Sequence, residues 1–106
     1  MAKNSCLIEA KQKALKYAQI LKDNMEVKEM YLFGSYVKGT NHIDSDIDIA
    51  VISDDFKGDC IDDTVKLMRF RRSIDTMIEP HPFLLKDFNK QNGFAKEIID
   101  TGIRII

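Results

Sequence analysis

The stretch Ser45-Asp46-Ile47-Asp48-Ile49-Ala50-Val51-Ile52 constrains this chain more than any other. Aspartate is a poor strand former, and closely spaced carboxylates repel unless a positive charge stands between them. Yet Asp46 and Asp48 lead straight into an apolar run of the kind that fills a central strand. Alternate residues of a strand share a face, so the two aspartates point the same way, ~6–7 Å apart, while Ile47 and Ile49 point into the core. A strand-borne carboxylate pair suits hard divalent cations, which stand ~3.5–4 Å apart in two-metal sites.

Neither a calcium loop nor a Walker phosphate loop accounts for the acidic stretch. Asp44, Asp46 and Asp48 match the opening of an EF-hand calcium loop, but Ile49 stands where the sharp turn needs glycine. Asp55 occupies the place of the bidentate glutamate, and an apolar run lies between. A Walker loop fails because Lys38-Gly39-Thr40 is in the wrong order. Just upstream, however, the strand-like run Met30-Tyr31-Leu32-Phe33 stops at Gly34-Ser35. There, backbone N–H groups and the Ser35 hydroxyl can hold phosphate oxygens, and Gly39 allows a tight turn after the segment.

The rest of the chain alternates helix and strand signals. Ser5 to Asp23 is expected to be a helix, capped by Asn4 or Ser5, with Leu7, Ala14, Ala18 and Leu21 on one face. A strand is expected within Val27–Phe33 and a second over Asp46–Ile52. Ile61 to Arg72 reads as a helix with Ile61, Val65 and Met68 at helical spacing. Ser73 to Glu79 reads as a third strand, stopped by Pro80 and Pro82, which cannot donate ladder hydrogen bonds. Phe94 to Thr101 follows as a helix with Gly102 at its C′ position, and Ile103–Ile106 as an edge strand. The aspartates of SDDFKGD are expected to be solvated. The pattern is that of an α/β (α+β) domain spanning residues 1–106, with helices covering one sheet.

Sixteen basic and seventeen acidic residues give a formal net charge of −1, which argues against a general nucleic-acid binder. The local exception, Lys66, Arg69, Arg71 and Arg72, is either the solvated side of a helix or a phosphate or partner contact. No apolar run is long enough to span a membrane, and no signal-peptide core stands at the N-terminus. Cys6 and Cys60 have no metal spacing, which fits incidental thiols in a reduced cytoplasmic compartment.

Gly34-Ser35, Gly39 and Asp46-Ile47-Asp48 before an apolar run together resemble the motif of the DNA polymerase β-like nucleotidyltransferase superfamily. The wider GSYVKG and SDIDIAV are similar to its minimal nucleotidyltransferase subgroup. The resemblance implies a mixed β-sheet flanked by helices. It also implies transfer of a nucleoside monophosphate, AMP from ATP, to a hydroxyl, with two Mg2+ ions as cofactors. Asp46, Asp48 and a third carboxylate would be the catalytic and metal-binding residues, and Gly34, Ser35 and Gly39 would bind the nucleotide. SIDTMIEP offers Asp75 and Glu79 for the third place. IDTMI looks like the family's third-aspartate strand, which favours Asp75 and leaves Glu79 as the alternative. Tyr36 and Lys38 either line the pocket or are solvated. His42 and His81 read as plain loop histidines. Small freestanding members are similar to antitoxins of toxin–antitoxin pairs, so the implied partner is a HEPN-type helical protein adenylylated on tyrosine. The alternative is a nucleotide-binding module that neutralises its partner by occlusion. The isoleucines at 103, 105 and 106 and the exposed side of the first helix leave apolar area for a stable complex with a second copy or with a helical protein.

Overall fold

The computed structural model describes residues 2–106, with side chains from Ser5 onward. Among the described residues, helices and strands alternate in part: α1 (Ala2–Asn24), β1 (Glu29–Phe33), α2 (Ser35–Lys38), β2 (Ile47–Ile52), α3 (Cys60–Met68), β3 (Ile78–Phe83), α4 (Gly93–Thr101) and β4 (Ile103–Arg104). A 3-10 turn, Leu85–Asp87, stands between β3 and α4. Because α1 begins at Ala2, residues 4 and 5 lie inside the helix and cannot cap it.

The strands form one mixed sheet in the order β3-β2-β1-β4. β1 pairs antiparallel with β2, Phe33 opposite Asp48, and β4 pairs antiparallel with β1. β3 runs parallel to β2, with Asp48 opposite Glu79 and Ala50 opposite His81. A parallel pair needs a crossover, and α3 provides it. On one face of the sheet, Met30, Leu32, Ile47, Ile49, Val51 and Ile78 pack with Ala10, Ala14, Tyr17, Ala18 and Leu21 of α1 and Leu67 of α3. On the other face, Ala50 and Ile52 pack with Phe88 and with Ala95 and Ile98 of α4. Small alanines let α1 approach the sheet closely. The fully buried Tyr17 donates its hydroxyl to the Leu67 carbonyl at 2.5 Å, which ties α1 to α3. Burial pushes the Tyr17 phenol well above its ordinary range, so it remains a donor.

β3 departs from the sequence expectation. The segment expected as strand, Ser73–Glu79, is mostly turn, and the strand runs through both prolines. Ile47 N–H donates to the Met77 carbonyl and Ser53 N–H to the Phe83 carbonyl, so odd-numbered residues of β3 face β2. The nitrogens of Pro80 and Pro82 therefore face away, on the free edge of the sheet, where no ladder donor is required.

Smaller differences have equally local causes. α3 ends at Met68, and Ile61 and Val65 are exposed while Leu67 and Asp63 are buried. The burial of Asp63 is explained by its carboxylate, which accepts from Lys57 and Gly58 N–H, both at 3.0 Å. Further loop aspartates are also structural: Asp54 accepts from Leu85 N–H, Asp55 from Glu26 N–H, and Asp59 caps α3. Gly102 is extended at φ −79°, so it does not close α4 in a left-handed turn. Glycine fits there because a side chain would meet the carbonyls of Ile98 and Leu32. Among the described residues, no helix is long and apolar enough to cross a membrane.

Candidate active site

The site begins where β1 ends. Gly34 adopts φ 86°, ψ −152°, a conformation essentially closed to other residues. Its bare Cα also faces the Asp48 carboxylate, and a Cβ there would run into Asp48 Oδ2. The turn and the carboxylate are thus fitted to each other. The chain then makes the single helical turn of α2, which starts at Ser35 and is closed by Gly39 in the left-handed region at φ 75°. Val37 and Lys38 N–H both donate to the Gly34 carbonyl, and Thr40 N–H donates to that of Ser35, so the turn is rigid. These contacts bring Gly34 and Ser35 alongside the start of β2.

The loop before β2 is braced in turn. Buried Ser45 accepts from His42 N–H at 2.8 Å through its hydroxyl, and its carbonyl accepts from the Tyr36 hydroxyl at 3.5 Å. Tyr36 thereby faces the loop and helps fix the direction in which Asp46 enters the strand. Lys38 instead reaches α4 in an exposed pair with Glu97. Asp46 precedes β2 and is exposed, whereas Asp48 is half-buried within it, on the same face.

Glu79 joins them from β3 as the register partner of Asp48. A hydrogen bond with Asp46 pushes the Glu79 carboxyl above its ordinary range, helped by burial and by the charge of Asp48, against the opposing pull of His81. Three carboxyl groups thus converge at the β2–β3 edge, close enough that full ionisation without a cation is unfavourable. His81, two residues on and on the same face, places Nε2 at 3.2 Å from Asp48 Oδ1. One side-chain ligand atom from each of Asp48, Glu79 and His81 lies within 4.8 Å of the others. An open groove of 690 Å3 runs past Asp46, Glu79 and His81 between α3 and α4, with half-exposed Phe94 on its wall. Its size is in the range of small-molecule sites.

Asp75 lies elsewhere. It stands in the turn before β3, accepting from Lys13 Nζ at 2.6 Å and from Met77 N–H at 2.8 Å. The Lys13 hydrogen bond holds the Asp75 carboxyl below its ordinary range, and Asp75 raises Lys13 in return. The structure therefore brings Asp46 and Asp48 together with Glu79 and sets Asp75 apart as the anchor of that turn to α1. His81, read as a loop residue from the sequence, is on a strand beside the carboxylates, whereas His42 does lie in a loop. Of the basic residues after α3, Arg71 donates to the Ile78 carbonyl and so steadies the start of β3.

The family described as polymerase beta, nucleotidyltransferase matches residues 16–106. The chain belongs to this family. The matched region contains the whole of the Gly34-Ser35 turn, β2 and β3. Among curated relatives, the protein adenylyltransferase MntA of Shewanella oneidensis is 51% identical over 41 residues, 38% of this chain and 30% of that protein. A putative protein adenylyltransferase of Methanocaldococcus jannaschii is 37% identical over 68 residues, 64% of this chain and 68% of that protein. The aligned region thus spans under a third of the Shewanella protein's length. Among solved structures, a toxin–antitoxin with AMP-PNP superposes with a TM-score of 0.60 at 27% identity, covering 91% of this chain and 72% of that chain. A mutant of the toxin–antitoxin MntA-HpeT superposes at 0.58 and 26% identity, covering 86% and 70%.

Proposed function

We propose that this family member is an enzyme that transfers AMP from ATP to a hydroxyl of a toxin partner, a tyrosine of a HEPN-type helical protein, in the cytoplasm. The observation that carries the reading is the convergence of Asp46, Asp48 and Glu79 beside the Gly34-Ser35 turn. Its relatives support the same chemistry: two bear adenylyltransferase names, and the solved neighbours are toxin–antitoxin structures, one with AMP-PNP.

The donor set fits a divalent cation, because three carboxyl groups converge where β2 and β3 meet, and Asp46 and Asp48 drive that of Glu79 toward its protonated form despite the opposing pull of His81. Asp46, Asp48 and Glu79 would hold two Mg2+ ions, with Glu79 in the place that the sequence assigned to Asp75. Magnesium bound there supplies charge neutralisation at the α-phosphate and the departing pyrophosphate. The Ser35 hydroxyl and the backbone of the Gly34–Gly39 turn hold the triphosphate in position. The acceptor oxygen attacks the α-phosphorus, the bond to the β-phosphate oxygen breaks, and the hydroxyl proton passes to the Glu79 carboxylate. Exposed Ile8 and Leu15, two turns apart on α1, offer an apolar stripe for the partner.

The test is incubation with ATP labelled at the α-phosphate, magnesium and a lysate of the source cell. The reading predicts one labelled protein that disappears when the Asp46→Asn, Asp48→Asn double variant is used. A partner recovered by pull-down without label from the parent chain would indicate an occlusion module instead.

A further inference from the structure

We propose that His81 supplies a nitrogen ligand to this centre, so that Asp48, Glu79 and His81 accept a first-row divalent transition-metal ion as well as magnesium. The proposal rests on the proposed function for the location of the metal centre and goes beyond it in the ligand set and the class of ion.

Three observations carry it. The strand register puts Asp48 and Glu79 side by side, and the two-residue repeat of β3 puts His81 on their face. Nε2 is the imidazole atom turned toward the carboxylates, 3.2 Å from Asp48 Oδ1. The ring is also held in that orientation from outside the cluster: Phe33 packs against it at a centroid distance of 5.0 Å and Phe94 at 5.7 Å, the latter edge-on. A pre-oriented imidazole loses little freedom on coordination. A donor set of two carboxylates and one imidazole differs chemically from three carboxylates. Magnesium favours oxygen ligands in a near-ideal octahedron, whereas imidazole favours first-row transition ions, whose affinities exceed that of magnesium at mixed nitrogen–oxygen sites.

The chain has two histidines, which makes the nitrogen traceable. The experiment uses the full chain labelled with 15N in histidine alone, with one equivalent of Mn2+ and no nucleotide, read by pulsed electron paramagnetic resonance. Manganese is chosen because Cys6 and Cys60 are free thiols that soft ions would find. The expected result is a 15N coupling at the bound ion that survives His42→Gln and is lost in His81→Phe, a change that keeps a ring between Phe33 and Phe94. Calorimetry on the same proteins should show Mn2+ affinity falling about tenfold or more in His81→Phe, with Mg2+ affinity changing less than about threefold. If His81→Phe fails to fold, His81→Asn takes its place, and the coupling in the parent chain needs no variant. Bound Mn2+ without nitrogen coupling, or coupling that persists without His81, overturns the proposal. Nitrogen coupling in a chain that labels no protein sustains the proposal while refuting the transfer reading. AMP transfer without the coupling does the reverse.

Discussion

Exchanging the two candidate third carboxylates gives the sharpest contrast the structure offers. Asp75→Asn breaks the 2.6 Å pair with Lys13, whose side chains are 20% and 37% exposed respectively. A pair so open to solvent contributes ~0–1 kcal/mol. Asparagine keeps an oxygen for the Met77 N–H, so only the ionic part is lost. At about 4–8 °C per kcal/mol for a domain near this size, the melting temperature should fall by no more than about 8 °C. Transfer should stay within about threefold of the parent, because Asp75 is not among the carboxylates at the β2–β3 edge. Glu79→Gln should behave in the opposite way. Removing a like charge beside Asp46 and Asp48 relieves repulsion, so the metal-free protein should be as stable as the parent or slightly more so. Transfer should fall ~10²–10³-fold, the loss typical of removing one electrostatic contact to a developing charge. The assay is single-turnover transfer from α-labelled ATP in lysate, paired with thermal melts with and without magnesium. Near-parent transfer by Glu79→Gln, with Asp75→Asn inactive, would refute the assignment made from the β3 register.

Gly34→Ala should destabilise by ~2–4 kcal/mol, since it adds a side chain in a glycine-only conformation and drives a Cβ into Asp48; a denaturant midpoint unchanged from the parent would count against this fit. Tyr17→Phe should lose ~0.5–1.5 kcal/mol in the same titration without altering transfer, because it removes the α1–α3 hydrogen bond on the sheet face opposite Asp48. The Lys13–Asp75 pair also predicts a pH dependence. A carboxyl whose folded pKa is depressed contributes stability that is present above its unfolded value, near pH 4, and is lost as pH falls through the folded value. Asp75→Asn should flatten the acid limb of the stability curve below about pH 4 and leave neutral-pH stability within ~1 kcal/mol; an unaltered acid limb would show that the pair contributes nothing.

What the sequence revealed and what it hid follow one physical distinction. The Gly34-Ser35 turn and β2 were legible because their signals are local: a run stopped by glycine, and an acidic–apolar alternation that admits a single strand register. β3 was hidden because prolines read as strand breakers, and that rule depends on whether a strand is central or at an edge, which is a property of the whole sheet. Had the strand been carried through the prolines, Glu79 and His81 would have shared a parity and His81 would have stood out. Asp75 drew attention by its place in IDTMI, but its partner is Lys13, 62 residues away, a pairing that no local pattern encodes. On α3, Ile61 and Val65 form the stronger apolar stripe, yet Leu67 and the loop-binding Asp63 face inward, because the helix also has to close the loop before it.

The most direct test of the central claim is a thermal melt with magnesium and ATP, comparing the parent chain with the Asp46→Asn, Asp48→Asn double variant. Binding to the folded state raises stability by RT ln(1 + [L]/Kd), about 2.7 kcal/mol at a hundredfold excess over Kd. If Asp46 and Asp48 hold the metals that bind the triphosphate, the parent should gain several degrees with magnesium and ATP together. The double variant should fold and show no such gain. A variant that keeps the full magnesium- and ATP-dependent shift would contradict the account, because the nucleotide would then bind without the carboxylates around which the site is built.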